Sequence, residues 1–310
     1  MSTALPLFVI VPPLAASDAA RLVRELPDAL DAGVSGLILR EGPAGSATID
    51  PTVLAGYLVG AGPALIVEAH TSRHAPYNLA RRLQSLARIT HGRAGLLLQG
   101  DGIDPLTRAG HSNGDGNGPA TGAHRDSATA EYLAVLDALW SSFPEEVLLG
   151  DAAAGIFADS DLVRPPNFTG SIYRVAGALN IPLEAAHRPL LALEAATLAA
   201  GADTSTVDAL LTTSQPTASQ PTATTPTGAS PQPRHWYRFS SGVDSLEEIS
   251  AAAVRPGTTA LVRESPAGTD PLAALTSPFI GIARDAGLLR TGDSQATLQQ
   301  LLGPREVVAA

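Results

Sequence analysis

The sequence predicts an α/β fold, a (β/α)8 barrel, and three observations carry the prediction. Eight short apolar runs recur along the 310 residues. Most of them are near-continuous rather than alternating, as strands of a parallel sheet covered on both faces must be. Segments of helical periodicity stand between many of them. A doubly wound open sheet is the competing topology.

The first run is LPLFVIV (5–11), ended by Pro12 and Pro13. It has no basic flank and is too short to span a bilayer, so it reads as a strand rather than a leader or a membrane segment. The following SDAARLVRELPDALDAG offers Ser17 as helix cap and Gly33 as stop, with leucines at helical spacing. The next runs are SGLILR (35–40), PALIVEA (63–69) and AGLLLQG (94–100). RPLLALEA (188–195), VDALLT (207–212), RHWYRF (234–239) and TALVRES (259–265) complete the set. The most orderly helix is HAPYNLARRLQSLARITHGRAG (74–95), where Pro76 suits the first turn because its missing N–H would have no partner there. Leu79, Leu83, Leu86 and Ile89 form its expected apolar stripe, Arg81, Arg82 and Arg88 face solvent or ion pairs, and His91-Gly92 closes it.

Composition removes several chemistries. Cysteine is absent, and every one of the 20 basic residues is arginine. Thiol nucleophiles, thiolate metal sites, Schiff-base lysines and phosphate-loop lysines are therefore excluded. A net charge of -10 without a basic cluster argues against nucleic acid and anionic membranes as partners, and fits an acidic cytoplasmic protein. The hydrophobic content of 45% suffices for one barrel domain over 1–310.

Two stretches read as organisation. GIDPLTRAGHSNGDGNGPATGAHRD (102–126) is rich in glycine and asparagine without apolar periodicity, and is expected to be a mobile loop over the barrel mouth. TTSQPTASQPTATTPTGASPQPR (212–234) has a composition that cannot bury a core, and is expected to be a disordered Pro/Thr-rich linker. A covering helix would then be missing, leaving the sixth and seventh strands exposed on their outer side. Trp236 and Tyr237 would suit a partner subunit there, although anchoring the seventh strand in the core is the commoner fate of such residues.

PYNLARRLQSLARITHGRAG closely resembles a passage of the bacterial luciferase-like flavin-dependent monooxygenases, in the branch containing nitrilotriacetate, pristinamycin and dibenzothiophene-sulfone monooxygenases. EYLAVLDALWSSFPEE (131–146), the span 156–195 and ARDAGLLRTGDSQATLQQLLG (283–303) resemble later passages of that branch in order, and SGLILREGP (35–43) resembles its second strand and loop. The resemblance implies a luciferase-like TIM barrel with one helical insertion replaced by the Pro/Thr-rich linker. It implies an oxidoreductase that binds reduced FMN at the carboxyl ends of the strands. A separate flavin reductase supplies the flavin, and a small organic molecule is oxidised by oxygen activated on it. A homodimer or a heterodimer of unlike subunits is the family habit.

The resemblance also implies site residues. Glu41 stands where the family carries an aspartate near the flavin. Asp101, Arg125, Ala195 and Thr197 stand at the other cofactor-binding positions, with Arg125 and the Thr197 hydroxyl retained. Leu96, Leu97, Gln99, Gly100 and Asp101 replace a Trp-Asn pair and small hydroxylated residues, so Asp101 brings negative charge toward the flavin phosphate. Arg125-Asp126 replaces an Arg-Tyr pair. Ala195, Ala196 and Thr197 replace a Gly-Ala-Ser phosphate turn, where alanine is barred from positive backbone angles but Thr197 retains a hydroxyl donor.

His70 and His74, on the loop after the third strand with Glu68 just before, are the candidate catalytic groups, as proton donors or substrate-positioning imidazoles. The alternative is that they are ordinary loop histidines. No HExxH-type spacing exists, and a metal hydrolase ranks third. Arg263-Glu264 reads as an ion pair. The altered residues keep a second reading open, a flavin-site-eroded barrel acting as a non-catalytic binding or partner subunit.

Overall fold

The computed structural model describes residues 4–110, 122–198, 204–213, 233–240, 246–254, 258–266, 268–290 and 296–303. Eight parallel strands close into a barrel in chain order: β1 (Leu7–Val11), β2 (Val34–Leu39), β3 (Ala64–His70), β4 (Ala94–Gln99), β5 (Leu190–Glu194), β6 (Ala209–Thr213), β7 (Arg234–Ser240) and β8 (Thr258–Glu264). Closure comes from β8 pairing with β1, Leu7 opposite Leu261 and Ile10 opposite Glu264. The open-sheet alternative is thereby excluded, and all eight expected runs supply the staves.

Strand alternation sorts the apolar residues into two cores. Phe8, Ile10, Ile38, Ala64, Ile66, Leu97, Ala192, Leu211, Trp236 and Val262 fill the interior of the barrel. Phe8 and Trp236 stack there with centroids 5.4 Å apart. Gly36 makes this possible: a Cβ at that position would come within 2.6 Å of the Phe8 ring and 2.7 Å of the Ala64 carbonyl. The opposite faces of the same strands pack under helices α1 (Ala16–Ala32), α2 (Pro51–Leu58), α3 (Pro76–Ile89), α5 (Gly122–Trp140), α6 (Leu246–Ala253) and α7 (Phe279–Asp285), while the short α4 (Pro105–Gly110) leaves Leu106 exposed. The short α8 (Leu298–Leu302) seals the amino-terminal end of the barrel. Its Leu298, Leu301 and Leu302 join the interior cluster, its first amide bonds Gly92 at the start of β4, and Arg234 at the start of β7 bonds the Gly303 carbonyl.

Helix α3 matches its expected limits. Thr90 ends it, and His91 and Gly92 follow with φ of 52° and 78°. Its buried stripe, however, is Leu79, Ala80, Leu83, Gln84, Leu86 and Ala87, while Ile89 is 53% exposed. Ile89 falls on the last turn, where the stripe rotates past the barrel wall. Ser17 does not cap α1: the cap position is Ala15, without a side-chain hydrogen bond, and Ser17 lies inside the first turn. Gly33 ends that helix with φ of 125°, as expected.

Two further expectations change. The span 102–126 contains α4 and the start of α5, with 111–121 outside the described residues. Of 212–234, Thr212, Thr213 and Arg234 belong to strands, and 214–232 lie outside the described residues. The outer faces of β6 and β7 are not bare, because Leu210, Tyr237 and Phe239 are each at most 4% exposed. Trp236 points into the barrel rather than toward a partner. Between α5 and β5 the chain forms two small antiparallel ribbons, Leu148–Asp151 with Ile156–Ala158 and Phe168–Thr169 with Arg174–Val175. Among the described residues no helix is long and apolar enough to cross a membrane.

Candidate active site

The inward-facing row changes character at the carboxyl end of the barrel. Above the apolar layers the same alternation turns Glu68 and His70 of β3, Gln99 of β4, Glu194 of β5, Arg238 of β7 and Glu264 of β8 toward the axis, with Arg40 just after β2. Arg40 links this row. Its guanidinium bonds Glu68 on one side and reaches Glu194 at 2.8 Å on the other. Glu194 also meets Arg238 at 3.4 Å, Arg238 approaches Glu264 at 3.8 Å, and the Gln99 amide donates to Glu68 at 2.9 Å. Burial pulls the Arg40 pKa down, but Glu68 and Glu194 outweigh it and the net shift is upward. The mouth is thus floored by a part-buried network in which Glu68 and Glu194 each have a donor.

Beside this floor stand four residues expected from the sequence. Glu41 accepts from the His70 backbone N–H at 3.0 Å and from His74 Nε2 at 3.0 Å, and Arg73 lies 3.4 Å away. Burial raises the Glu41 pKa, yet the bonds from His74 and the His70 amide prevail and it is lowered overall. His74 is joined at Nδ1 by Arg82 from α3 at 2.8 Å. Asp101 accepts from His70 Nδ1 at 2.8 Å and from the Ser72 amide at 3.0 Å. Its hydrogen bond to Asp101 raises the His70 pKa above the ordinary imidazole value against the opposing effect of burial. For Asp101 burial works upward, but His70 and Ser72 hold its pKa down at about 2. His70, His74, Glu41 and Asp101 therefore form one connected patch, and the carboxylate of Asp101 is turned onto His70.

The remaining expected residues lie apart from that patch. Ala195 and Thr197 form a 3-10 turn directly after β5, next to Glu194 of the floor. The Thr197 hydroxyl donates to the Glu194 carbonyl at 2.7 Å. The turn needs no positive φ: among the described residues only His91 and Asn167 adopt one without being glycine. Alanine at 195 thus costs the backbone nothing. Arg125 sits in the first turn of α5, and its side chain is outside the described residues. Arg263 and Glu264 do not form the expected pair, since neighbouring strand residues face opposite ways. Glu264 turns inward to Arg238, while the Arg263 guanidinium lies over Phe239 and Phe279 and donates to Ser277. Sequence reasoning missed Arg40, Arg82, Arg238 and Tyr132, whose hydroxyl donates to the His74 carbonyl at 2.8 Å. Strand parity would have found Arg40 and Arg238, both in register with inward apolar residues two positions earlier.

No family model matches the chain. It is 29% identical over 144 residues to a component of pristinamycin IIA synthase from Streptomyces pristinaespiralis, spanning 46% of this chain and 45% of that protein. It is 29% identical over 127 residues to nitrilotriacetate monooxygenase component A of Aminobacter aminovorans, spanning 41% of this chain and 27% of that protein. The matches thus cover less than half the length of these curated relatives. Among solved structures, EDTA monooxygenase from Chelativorans sp. BNC1 superposes with a TM-score of 0.62 at 17% identity, covering 97% of this chain and 98% of that one. The chain shares the closed (β/α)8-barrel fold of this monooxygenase. Riboflavin lyase shares the fold with a TM-score of 0.65 at 13% identity over 97% of this chain and 96% of that one. In this barrel the charged floor and the His70–Asp101 and Glu41–His74 pairs gather at the carboxyl end, where barrel enzymes carry their chemistry.

Proposed function

We propose that the chain is a flavin-dependent monooxygenase that uses reduced FMN supplied by a separate reductase to oxidise a small organic substrate. The observation that carries this reading is the polar carboxyl end, where two imidazoles and a network of arginines and carboxylates converge above an apolar interior. Sequence kinship supports it, since the relatives include monooxygenases, one of them a named component A. A deazaflavin-dependent alcohol dehydrogenase shares the fold with a TM-score of 0.55 at 11% identity, so the choice of FMN rests on the sequence relatives and on the residues at the mouth.

The donor set suits a flavin. A guanidinium presents five N–H donors, more than the two carboxylates bound to Arg40 occupy. Arg40, Arg238 and the Gln99 amide can therefore face the polar edge of the ring. Thr197 and the amides of the 195–197 turn are the described donors nearest the end of β5 for a phosphate. When bound, reduced FMN would supply the electrons that activate oxygen. The protein's part is to hold Arg40 and Arg238 fixed through Glu68 and Glu194, to wall the mouth with Glu41 and His74, and to move protons with His70.

A second reading has its own observation. Glu41, Glu68, Asp101, Glu194 and Glu264 outnumber Arg40, Arg73, Arg82 and Arg238, and the Thr197 hydroxyl is turned to its own backbone. Both features disfavour a phosphate dianion and suit a non-catalytic partner subunit. Anaerobic titration with reduced FMN separates the two. Saturable binding in the micromolar range supports the monooxygenase, and no saturation below millimolar concentrations removes it.

A further inference from the structure

The two imidazoles at the barrel mouth are held in different ways. His74 is engaged at both ring nitrogens, with Arg82 Nη2 at 2.8 Å from Nδ1 and Glu41 Oε1 at 3.0 Å from Nε2. A guanidinium only donates and an ionised carboxylate only accepts. Nδ1 must therefore be without a proton and Nε2 must carry one, which assigns the ring to a single neutral tautomer through its partners. The clamp is itself braced. Arg82 is held by Asp50 at 3.0 Å and Thr52 at 3.3 Å, and Glu41 by the His70 amide at 3.0 Å, while the Tyr132 hydroxyl fixes the His74 carbonyl at 2.8 Å.

His70 is held at one nitrogen. Its Nδ1 meets Asp101 Oδ2 at 2.8 Å, and among the described residues Nε2 has no hydrogen-bond partner. Asp101 is oriented in turn by the Ser72 amide at 3.0 Å and the Thr71 hydroxyl at 3.5 Å. A carboxylate that accepts a hydrogen bond from Nδ1–H leaves Nε2 as the basic nitrogen and stabilises the cation formed when Nε2 is protonated. The charged groups facing the ring are Asp101 after β4, Glu41 after β2 and Arg73 on its own loop; the two acids favour the cation and the arginine opposes it.

We infer that His70 exchanges protons at this mouth through Nε2, that Asp101 is its positioning residue, and that His74 is a neutral strut locked between Arg82 and Glu41. A proton added to His74 Nδ1 would face the Arg82 guanidinium at 2.8 Å and break the link to Asp50. The inference rests on the monooxygenase reading for the use of the proton, but the division between the rings belongs to the chain itself.

The test is long-range proton–nitrogen correlation NMR on the full chain labelled with 15N-histidine, with no flavin added. Signals are assigned with His70→Gln and His74→Gln. At about neutral pH, His74 should show an unprotonated Nδ1 and a protonated Nε2. His70 should titrate above the ordinary imidazole value of about 6.5, and Asp101→Asn should lower that midpoint by about one pH unit, a tenfold loss of proton affinity. Asp101→Glu should restore most of it, and Arg82→Gln should release His74 into a mixture of tautomers. A wild-type His74 that is doubly protonated or tautomer-averaged overturns the inference, and that spectrum decides even if a variant fails to fold. An unchanged His70 midpoint in a folded Asp101→Asn variant overturns it as well. Failure of reduced FMN to bind while the rings behave as stated would sink the monooxygenase reading alone, and tight binding with the wrong tautomer would sink this division alone.

Discussion

Arg40 and Glu194 meet at 2.8 Å across the barrel mouth and tie the end of β2 to the end of β5. The strands are not neighbours, since β3 and β4 stand between them. The contact therefore spans the interior of the ring. It brings with it Glu68, whose side chain is 5% exposed, and Arg238, so the polar floor is held as one unit.

Removing the central cation should expose how much the floor depends on it. Arg40→Met leaves Glu68 and Glu194 buried without their main partner, and breaking a buried pair in this way costs about 3–5 kcal/mol. Urea unfolding followed by circular dichroism should show a loss of that size, and the pair Arg40→Met with Glu68→Gln should recover part of it. A loss under about 1 kcal/mol for Arg40→Met would mean that water already solvates the carboxylates.

The His70–Asp101 pair makes stability depend on pH within a defined window. His70 is raised in the folded state, so its contribution is complete below the unfolded imidazole value and fades as pH rises through the folded one. Asp101 is depressed to about 2, so its contribution is present above the unfolded carboxyl value and fades as pH falls toward 2. The difference in stability between the wild type and Asp101→Asn should peak near pH 5, between the two limits of about 3.9 and 6.5. It should shrink by pH 9. Side-chain exposures of 21% and 39% keep the effect small. A difference that grows steadily toward alkaline pH would contradict the pairing.

Gly36 is predicted to be intolerant of even one methyl group. Alanine there would drive a Cβ to 2.6 Å from the Phe8 ring and 2.7 Å from the Ala64 carbonyl, and Phe8 has Trp236 stacked on its other side. Overpacking of this kind costs about 1–3 kcal/mol. The measure is the urea midpoint of Gly36→Ala, and Phe8→Leu in the same chain should relieve part of the loss. An unchanged midpoint would show that the interior layer is looser than the stacking implies.

Glu131 of α5 anchors the ribbon that precedes β5. It accepts from Ser171 N at 3.0 Å, Ser171 Oγ at 2.7 Å, Ile172 N at 2.8 Å and Tyr173 N at 2.5 Å. Burial pushes its pKa up, but these donors win and hold it low. Glu131→Ala strands donors that are partly buried, at about 1–3 kcal/mol. Amide hydrogen exchange at 171–173 should accelerate far more than in β3 or β4, and equal acceleration everywhere would refute a local anchoring role.

The staves of the barrel were legible because burial on both faces writes each one as a short apolar run, and runs such as SGLILR and AGLLLQG admit few other structures. The helix boundaries were legible where proline or glycine marks them, as at Pro76 and Gly33. Ser17 misled because a capping residue type is informative only at the cap position itself, and the turn begins one residue earlier. In the site, the structure brings together His70 and His74, named for their loop after β3, and Glu41 and Asp101, named through the resemblance. Arg40, Arg82 and Arg238 were not legible there, since an arginine's partners lie wherever its long side chain reaches, and three-dimensional closure alone brings Glu194 to Arg40. Thr212–Arg234 illustrates a different limit: its composition says what it cannot build, not what it covers.

The measurement that addresses the central claim most directly is a crystal structure determined with FMN. Electron density for the ring is expected at the carboxyl end of the barrel, over the floor formed by Arg40, Gln99, Glu194 and Arg238, with His70 facing it. A flavin seated at the sealed end beside α8, or on the outside of the barrel, would contradict the monooxygenase reading.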